Sequence, residues 1–267
     1  MDLNTVTEFA PATDATWRAG DAWLGGGTWL FSVLQPRVSR LLDLRAFGWA
    51  PVAETPDEVV IGATCTLAEL ARWQPSRGEY SSGAVLARQC CHALLGSFKV
   101  HNVATVGGNI CLSLPAGPMT SLASALDAVA ELRGADGGER RLPVAELVTG
   151  DGRNTLRAGE LLTRLRVPGD AMRARTAFRQ LSLSPVGRSA VVVIGRRDSG
   201  GQVVVSVTAS VPGPVVLRFP GLPSLAEAMG RLDEAVSWYL DDVHGSGLWR
   251  AAMTRRLVGE VLAELAG

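Results

Sequence analysis

Leu24-Gly25-Gly26-Gly27-Thr28-Trp29-Leu30 and Thr105-Val106-Gly107-Gly108-Asn109-Ile110 are the stretches on which the reading of this chain turns. The first follows a short apolar run, Asp21–Leu24, that reads as a strand, and a helical turn is expected from Trp29 onward. Glycines lack a Cβ and reach positive φ, so they can turn successive N–H groups inward as an anion nest. A dinucleotide pyrophosphate needs several such donors and a close approach of the main chain. Thr28, Thr105 and Asn109 add side-chain donors. Each stretch alone is compatible with an ordinary turn. Neither is a G-x-G-x-x-G, which argues against a Rossmann domain, and with Lys99 as the only lysine there is no phosphate-binding G-x-x-x-x-G-K-[ST] loop. The pair, separated by a long helical pattern, is far more specific than either half.

Working outward, Arg40–Leu44 and Val59–Gly62 read as strands, and Thr66 as the N-cap of a helix through Trp73 with Glu69 closing a capping box. Val85, Leu86, Cys90 and Leu94 fall at helical spacing and predict a helix over Gly83–Leu95. Gly96–Asn109 is polar and aperiodic, which predicts a loop of special backbone geometry. Ser121–Leu126 looks helical, and Ala128–Arg133 with Glu139–Leu142 flanks a Gly134-Ala135-Asp136-Gly137-Gly138 hairpin turn. Glu160–Val167 reads as a strand ended by Pro168.

Near residue 170 the character changes. Thr176–Leu183, Ser189–Arg197, Gln202–Val211 and Val215–Phe219 are valine-rich, alternating and separated by turns, as in an antiparallel sheet. Trp249, Met253, Leu257, Val261 and Leu265 then recur every four residues on one face of a terminal helix. The fold class is α+β: mixed α/β, then a β-meander capped by helices.

The formal net charge of +0 offers no strong field to nucleic acid or to an anionic membrane. No apolar run reaches the roughly 18 residues of a span, and the first residues lack a signal-peptide pattern, so a soluble, cytoplasmic protein is expected. Cys65, Cys90, Cys91 and Cys111 form no C-x-x-C pair, and His92, His101 and His244 complete no metal spacing. Reduced structural thiols, no metal site and no iron–sulfur cluster held by this chain are the expectation. The absence of a nucleophile–base set leaves no catalytic residue to name. Trp29 adjoins the first glycine stretch and is a candidate cofactor contact, while the other tryptophans read as core or interface anchors. His101 reads either as a contact to cofactor or neighbouring subunit, or as a solvated loop histidine. Arg140-Arg141 reads as a solvated strand or turn.

Taken together, Gly25-Gly26-Gly27-Thr28 after a strand, Ile61-Gly62-Ala63, and His101-Asn102-Val103-Ala104-Thr105-Val106-Gly107-Gly108-Asn109 resemble the medium, FAD-binding subunits of molybdenum hydroxylases of the xanthine and carbon monoxide dehydrogenase type. The resemblance covers nearly the whole chain. It implies a two-lobed FAD-binding domain of the vanillyl-alcohol-oxidase type over residues 1–170, and a C-terminal meander-plus-helix domain over 171–267. By position, Leu24–Thr28 and Thr105–Asn109 would hold the pyrophosphate of FAD, with Trp29 and Leu30 following the first stretch and Leu95 at a FAD-contacting place. Pro118 stands where the family usually has an aspartate, and Gln180 where it often has a lysine near the flavin edge. Such a charge helps set a flavin's potential.

The resemblance further implies FAD-mediated electron transfer beside a large molybdenum-cofactor subunit and a small subunit with two [2Fe–2S] clusters, in a hetero-oligomer of two or more copies. Two other readings stay open: a self-contained flavin oxidoreductase of the same fold, which turnover by the isolated chain would reveal, and a non-catalytic subunit that has lost FAD, which would purify colourless.

Overall fold

The structure is a computed structural model and describes residues 4–267. The chain opens with three short strands, β1 (Glu8–Pro11), β2 (Asp21–Leu24) and β3 (Arg40–Asp43), paired in parallel in the order β1-β3-β2. Asp21 and Arg40 lie opposite each other in this register, and their ion pair, 2.6 Å long with the carboxylate fully covered, locks β2 to β3. A charged pair tolerates such cover because each partner satisfies the other. Leu42, Leu44, Ala12 and Leu161 form the small core here.

Next come β4 (Val52–Glu54), β5 (Glu58–Gly62) and α1 (Leu67–Arg72). The capping box on α1 is present: Thr66 Oγ1 accepts from the Glu69 N–H and the Glu69 carboxylate accepts from the Thr66 N–H. Helix α2 (Ser81–His92) buries Leu86, Ala87, Cys90 and Cys91. The segment expected to be a loop holds two short helices, α3 (Phe98–His101) and α4 (Val106–Leu112). Its pattern was illegible because neither helix completes two full turns of apolar spacing. Helix α5 (Pro118–Ala125) begins earlier than the sequence suggested, with Pro118 at its first position, where a missing N–H costs nothing. All eight of its residues are buried.

The expected hairpin is β6 (Val129–Arg133) with β7 (Glu139–Pro143). After α6 (Val144–Leu147) and a small β8 (Val148–Gly150)–β9 (Arg153–Asn154) hairpin, β10 (Leu161–Pro168) inserts between β5 and β6. The five-stranded order is β4-β5-β10-β6-β7. Arg140 and Arg141 lie on strand β7, Arg141 exposed, and each is paired: Arg140 with Glu160 at 2.6 Å and Arg141 with Glu131 at 2.6 Å.

Following α7 (Gly169–Arg173), the meander β11 (Arg175–Leu181), β12 (Val191–Arg197), β13 (Val203–Thr208) and β14 (Val215–Phe219) pairs antiparallel in sequence order. Its central strands are covered on both faces. Val192 and Ile194 join the large core that includes α2 and α5, whereas Val191 and Val193 join a second core under α8 (Leu225–Ala235) and α9 (Gly247–Ala266). The period-two alternation of β12 therefore splits one strand between two cores. On α9, Leu257, Val261 and Leu265 are fully buried, each stabilising by about 1.5–3 kcal/mol. A Cβ at Gly195 would collide with Val261 and Leu265, so the helix lies directly on β12.

Candidate functional site

A cleft of about 490 Å³ opens where the first parallel sheet, the α2–α4 segment and the meander meet. β2 delivers Gly25–Leu30 to one wall, and the stretch from Ala93 to Leu112 forms the facing wall. Of the sequence-predicted positions, Gly25, Gly26, Gly27, Thr28, Trp29, Leu30, Leu95, Thr105, Gly108 and Asn109 line it together. Leu24, Val106, Gly107, Pro118 and Gln180 do not. Leu24 is buried at the end of β2, Val106 in the first turn of α4, and Pro118 in α5. Gln180 reaches the rim indirectly: its Nε2 donates to Ser189 Oγ at 2.8 Å, and Ser189 lines the cleft.

Local chemistry at the two glycine stretches differs from expectation. Only Gly27 has positive φ, at 71°; Gly25, Gly26, Gly107 and Gly108 do not. The second stretch is a capped helix start rather than an open nest. Thr105 Oγ1 accepts from the Gly108 N–H at 3.1 Å, and Asn109 N–H donates to the Thr105 carbonyl at 3.0 Å. Val106 and Gly107 donate to the carbonyls of Cys65 and Ala63 at 2.8 and 2.9 Å. Gly107 must lack a side chain because a Cβ would lie 2.7 Å from Ala63 Cβ and 2.9 Å from its carbonyl oxygen. Gly107 serves close packing of main chain on main chain, the second use of a residue without a Cβ.

The first stretch keeps its donors. Among the described residues, the main-chain N–H groups of Gly25 through Leu30 make no hydrogen bond to a protein acceptor. Beside them Trp23 lines the cleft, and its buried indole N–H has no partner. Unpaired donors gathered at a cleft are costly unless a ligand or water accepts from them. Asn109 spends its Oδ1 on the Met119 N–H at 3.0 Å, which leaves its amide NH₂ without a protein acceptor. A group rich in acceptor oxygens, such as a pyrophosphate, fits this wall. Leu94, Leu95, Leu112 and Leu114 supply apolar surface for a flat ring.

Several further lining residues come from segments that carried no motif. Ala93, Leu114, Ala116, Gly117, Arg188 and Ser189 are brought in by the end of α2, the turn before α5 and the β11–β12 connection. Burial pushes the Cys111 thiol up to about 12, so it stays protonated near neutral pH. His101 does not line the cleft; its Nε2 lies 3.2 Å from the Leu94 carbonyl and braces the wall from behind. No cluster of three or more potential metal ligands occurs among the described residues, and no helix among them is long and apolar enough to cross a membrane.

Solved structures with the same fold include the reconstituted CO dehydrogenase from Oligotropha carboxidovorans, with a TM-score of 0.82 and 20% identity, covering 98% of each chain. Quinoline 2-oxidoreductase from Pseudomonas putida 86 superposes with a TM-score of 0.78 at 17% identity, over 99% of this chain and 98% of that one. In sequence, the nicotinate dehydrogenase FAD-subunit of Eubacterium barkeri is 29% identical over 135 residues; that stretch is 47% of this chain and spans less than half, 43%, of the relative. The family described as "FAD binding domain in molybdopterin dehydrogenase" matches residues 4–170. The chain belongs to that family. Its cofactor is FAD.

Proposed function

We propose that this chain is the electron-transfer subunit of a molybdenum hydroxylase, with FAD held in the cleft between two lobes of a vanillyl-alcohol-oxidase-type domain, residues 1–170, and the C-terminal domain, 171–267. One observation carries the reading: two glycine stretches eighty residues apart meet at one cleft whose first wall presents unpaired N–H donors. Gly25–Thr28 would hold the pyrophosphate by main-chain donors, helped by Thr105 and the Asn109 amide. Trp29, Leu30 and Leu95 would flank the rings. Leu24, Val106 and Gly107 would act from behind the wall by fixing its main chain, Pro118 by setting the turn that presents Gly117, and Gln180 by orienting Ser189.

FAD there would supply two-electron redox chemistry, linking [2Fe–2S] clusters of a small partner subunit to an external acceptor. Substrate hydroxylation would belong to a large molybdenum-cofactor subunit. The assembly would be a cytoplasmic hetero-oligomer with two or more copies of each chain. Co-expression with candidate partners, pull-down and substrate-driven bleaching of the flavin test this. Turnover of a small molecule by the isolated chain would replace it with a self-contained flavoenzyme.

A further inference from the structure

We infer that Arg188 is the cation of the flavin end of the cleft, stabilising the negative charge that reduction adds there. The inference rests on the FAD reading above. Among the residues that line the cleft, Arg188 alone carries a formal charge. The other arginines of the meander have partners: Arg179 meets Glu260 and Glu264, Arg196 meets Asp127 and Asp198, and Arg218 meets Asp127, while Arg175 and Arg197 donate to the main-chain carbonyls of Glu264 and Leu265 on α9. Arg188, half-buried, forms no ion pair and no hydrogen bond among the described residues. A partly desolvated guanidinium without an anion is an unfavourable state that a bound negative charge relieves.

Ser189 and Ala190 fix the position of Arg188. Ser189 is buried, donates from Oγ to the Ala93 carbonyl at 3.3 Å and accepts from Gln180 at 2.8 Å. Ala190 donates its N–H to the Leu181 carbonyl at 2.8 Å, and its carbonyl accepts from Arg250 at 3.0 Å. Arg188 thus enters the cleft beside Ala93, at the wall that Gln180 braces. The glycine stretch meets a different part of the facing wall, at Val103 to Thr105. A pyrophosphate at the glycine junction already has unpaired N–H donors, so the lone charge acts on another part of the cofactor. Two electrons and one proton added to an oxidised flavin leave it one unit more negative. A fixed cation in a site of lowered dielectric favours that form. Gln180 is neutral and cannot do so, and Arg188 supplies the charge from eight residues further on.

The test uses the full chain as wild type, Arg188→Gln and Arg188→Lys. FAD content is read by acid release, affinity by quenching of FAD fluorescence, and midpoint potential by dithionite titration against a reference dye. Arg188→Gln is expected to bind FAD with affinity close to wild type. It should lose at least tenfold in preference for reduced over oxidised flavin, a fall of about 30 mV for a two-electron couple. Arg188→Lys should retain most of the wild-type potential. A potential unchanged in Arg188→Gln overturns the inference. So does a large loss of FAD and ADP affinity without a change in potential, which would assign Arg188 to the pyrophosphate. Wild type that takes up no FAD sinks the cofactor reading itself, an outcome distinct from both.

Discussion

Gly26 lies against the carbonyl of Val103 so closely that a Cβ on Gly26 would occupy the space of that oxygen. This contact joins the first glycine stretch to the segment carrying the second, and Gly26 and Ala104 on either side of it line the cleft. The requirement is steric; Gly26 has no positive φ. Gly26→Ala should therefore cost about 1–3 kcal/mol in stability through overpacking, and Gly26→Val should abolish FAD uptake. Gly108 differs, since its Cβ would meet only Thr105 Oγ1, at 2.9 Å. Gly108→Ala should keep the fold and weaken FAD binding less than Gly26→Ala. Thermal melting and FAD titration of the two variants check the order; equal effects would remove the special status of the Gly26–Val103 contact.

Thr105 caps α4 and lines the cleft at once. Thr105→Val removes the acceptor for the Gly108 N–H and should destabilise by about 0.5–2 kcal/mol, with a matching loss of FAD affinity. Thr105→Ser should preserve both, because only the hydroxyl is used. Chemical denaturation of the two variants, with and without FAD, is the measurement.

Arg250 is 2% exposed and binds the carbonyls of Ala190, Ala209 and Gly245 at 3.0, 2.6 and 3.0 Å, with Asp242 at 2.5 Å. Ala190 follows Ser189 of the cleft, and Ala209, held at φ 65°, donates to the Pro115 carbonyl beside the opposite rim. Arg250→Met leaves buried carbonyls unpaired and should cost about 3–5 kcal/mol, read as a shift in urea midpoint. Asp242→Asn should cost much less, since that carboxylate is partly exposed.

Acid should loosen the first sheet. The Arg40 hydrogen bonds, against the opposing cost of burial, hold the Asp21 carboxyl below its ordinary value of 3.8. A depressed folded-state pKa contributes stability that is present above the ordinary value and is lost as pH falls through the folded one. Wild type should thus lose stability below about pH 4, and Asp21→Asn, less stable at neutral pH, should show a shallower acid limb. A pH series of thermal melts decides this; parallel curves for the two proteins would exclude the pair as the source.

Where periodicity was long, the sequence carried the fold: the Thr66–Glu69 capping box, the four meander strands and the α9 face all lie where spacing put them. Short elements were the failure. α3 and α4 are too brief to print a helical pattern, so Gly107 and Gly108 read as an open nest although their N–H groups are already bound to Ala63 and Thr105. Within the cleft, the motif-bearing side was legible from glycines and threonines. Arg188 and Ser189 were not, because they enter from a β-connection eighty residues beyond Gly108, and only the packing of the meander on α2 brings them there.

The most direct measurement is the absorption spectrum of the purified full chain, reconstituted with micromolar FAD where necessary, followed by acid release of the bound flavin. Flavin bands that yield FAD, with competition by ADP for the same cleft, are the expected result. A protein that stays colourless, or that releases FMN, would contradict a pyrophosphate held at Gly25–Thr28.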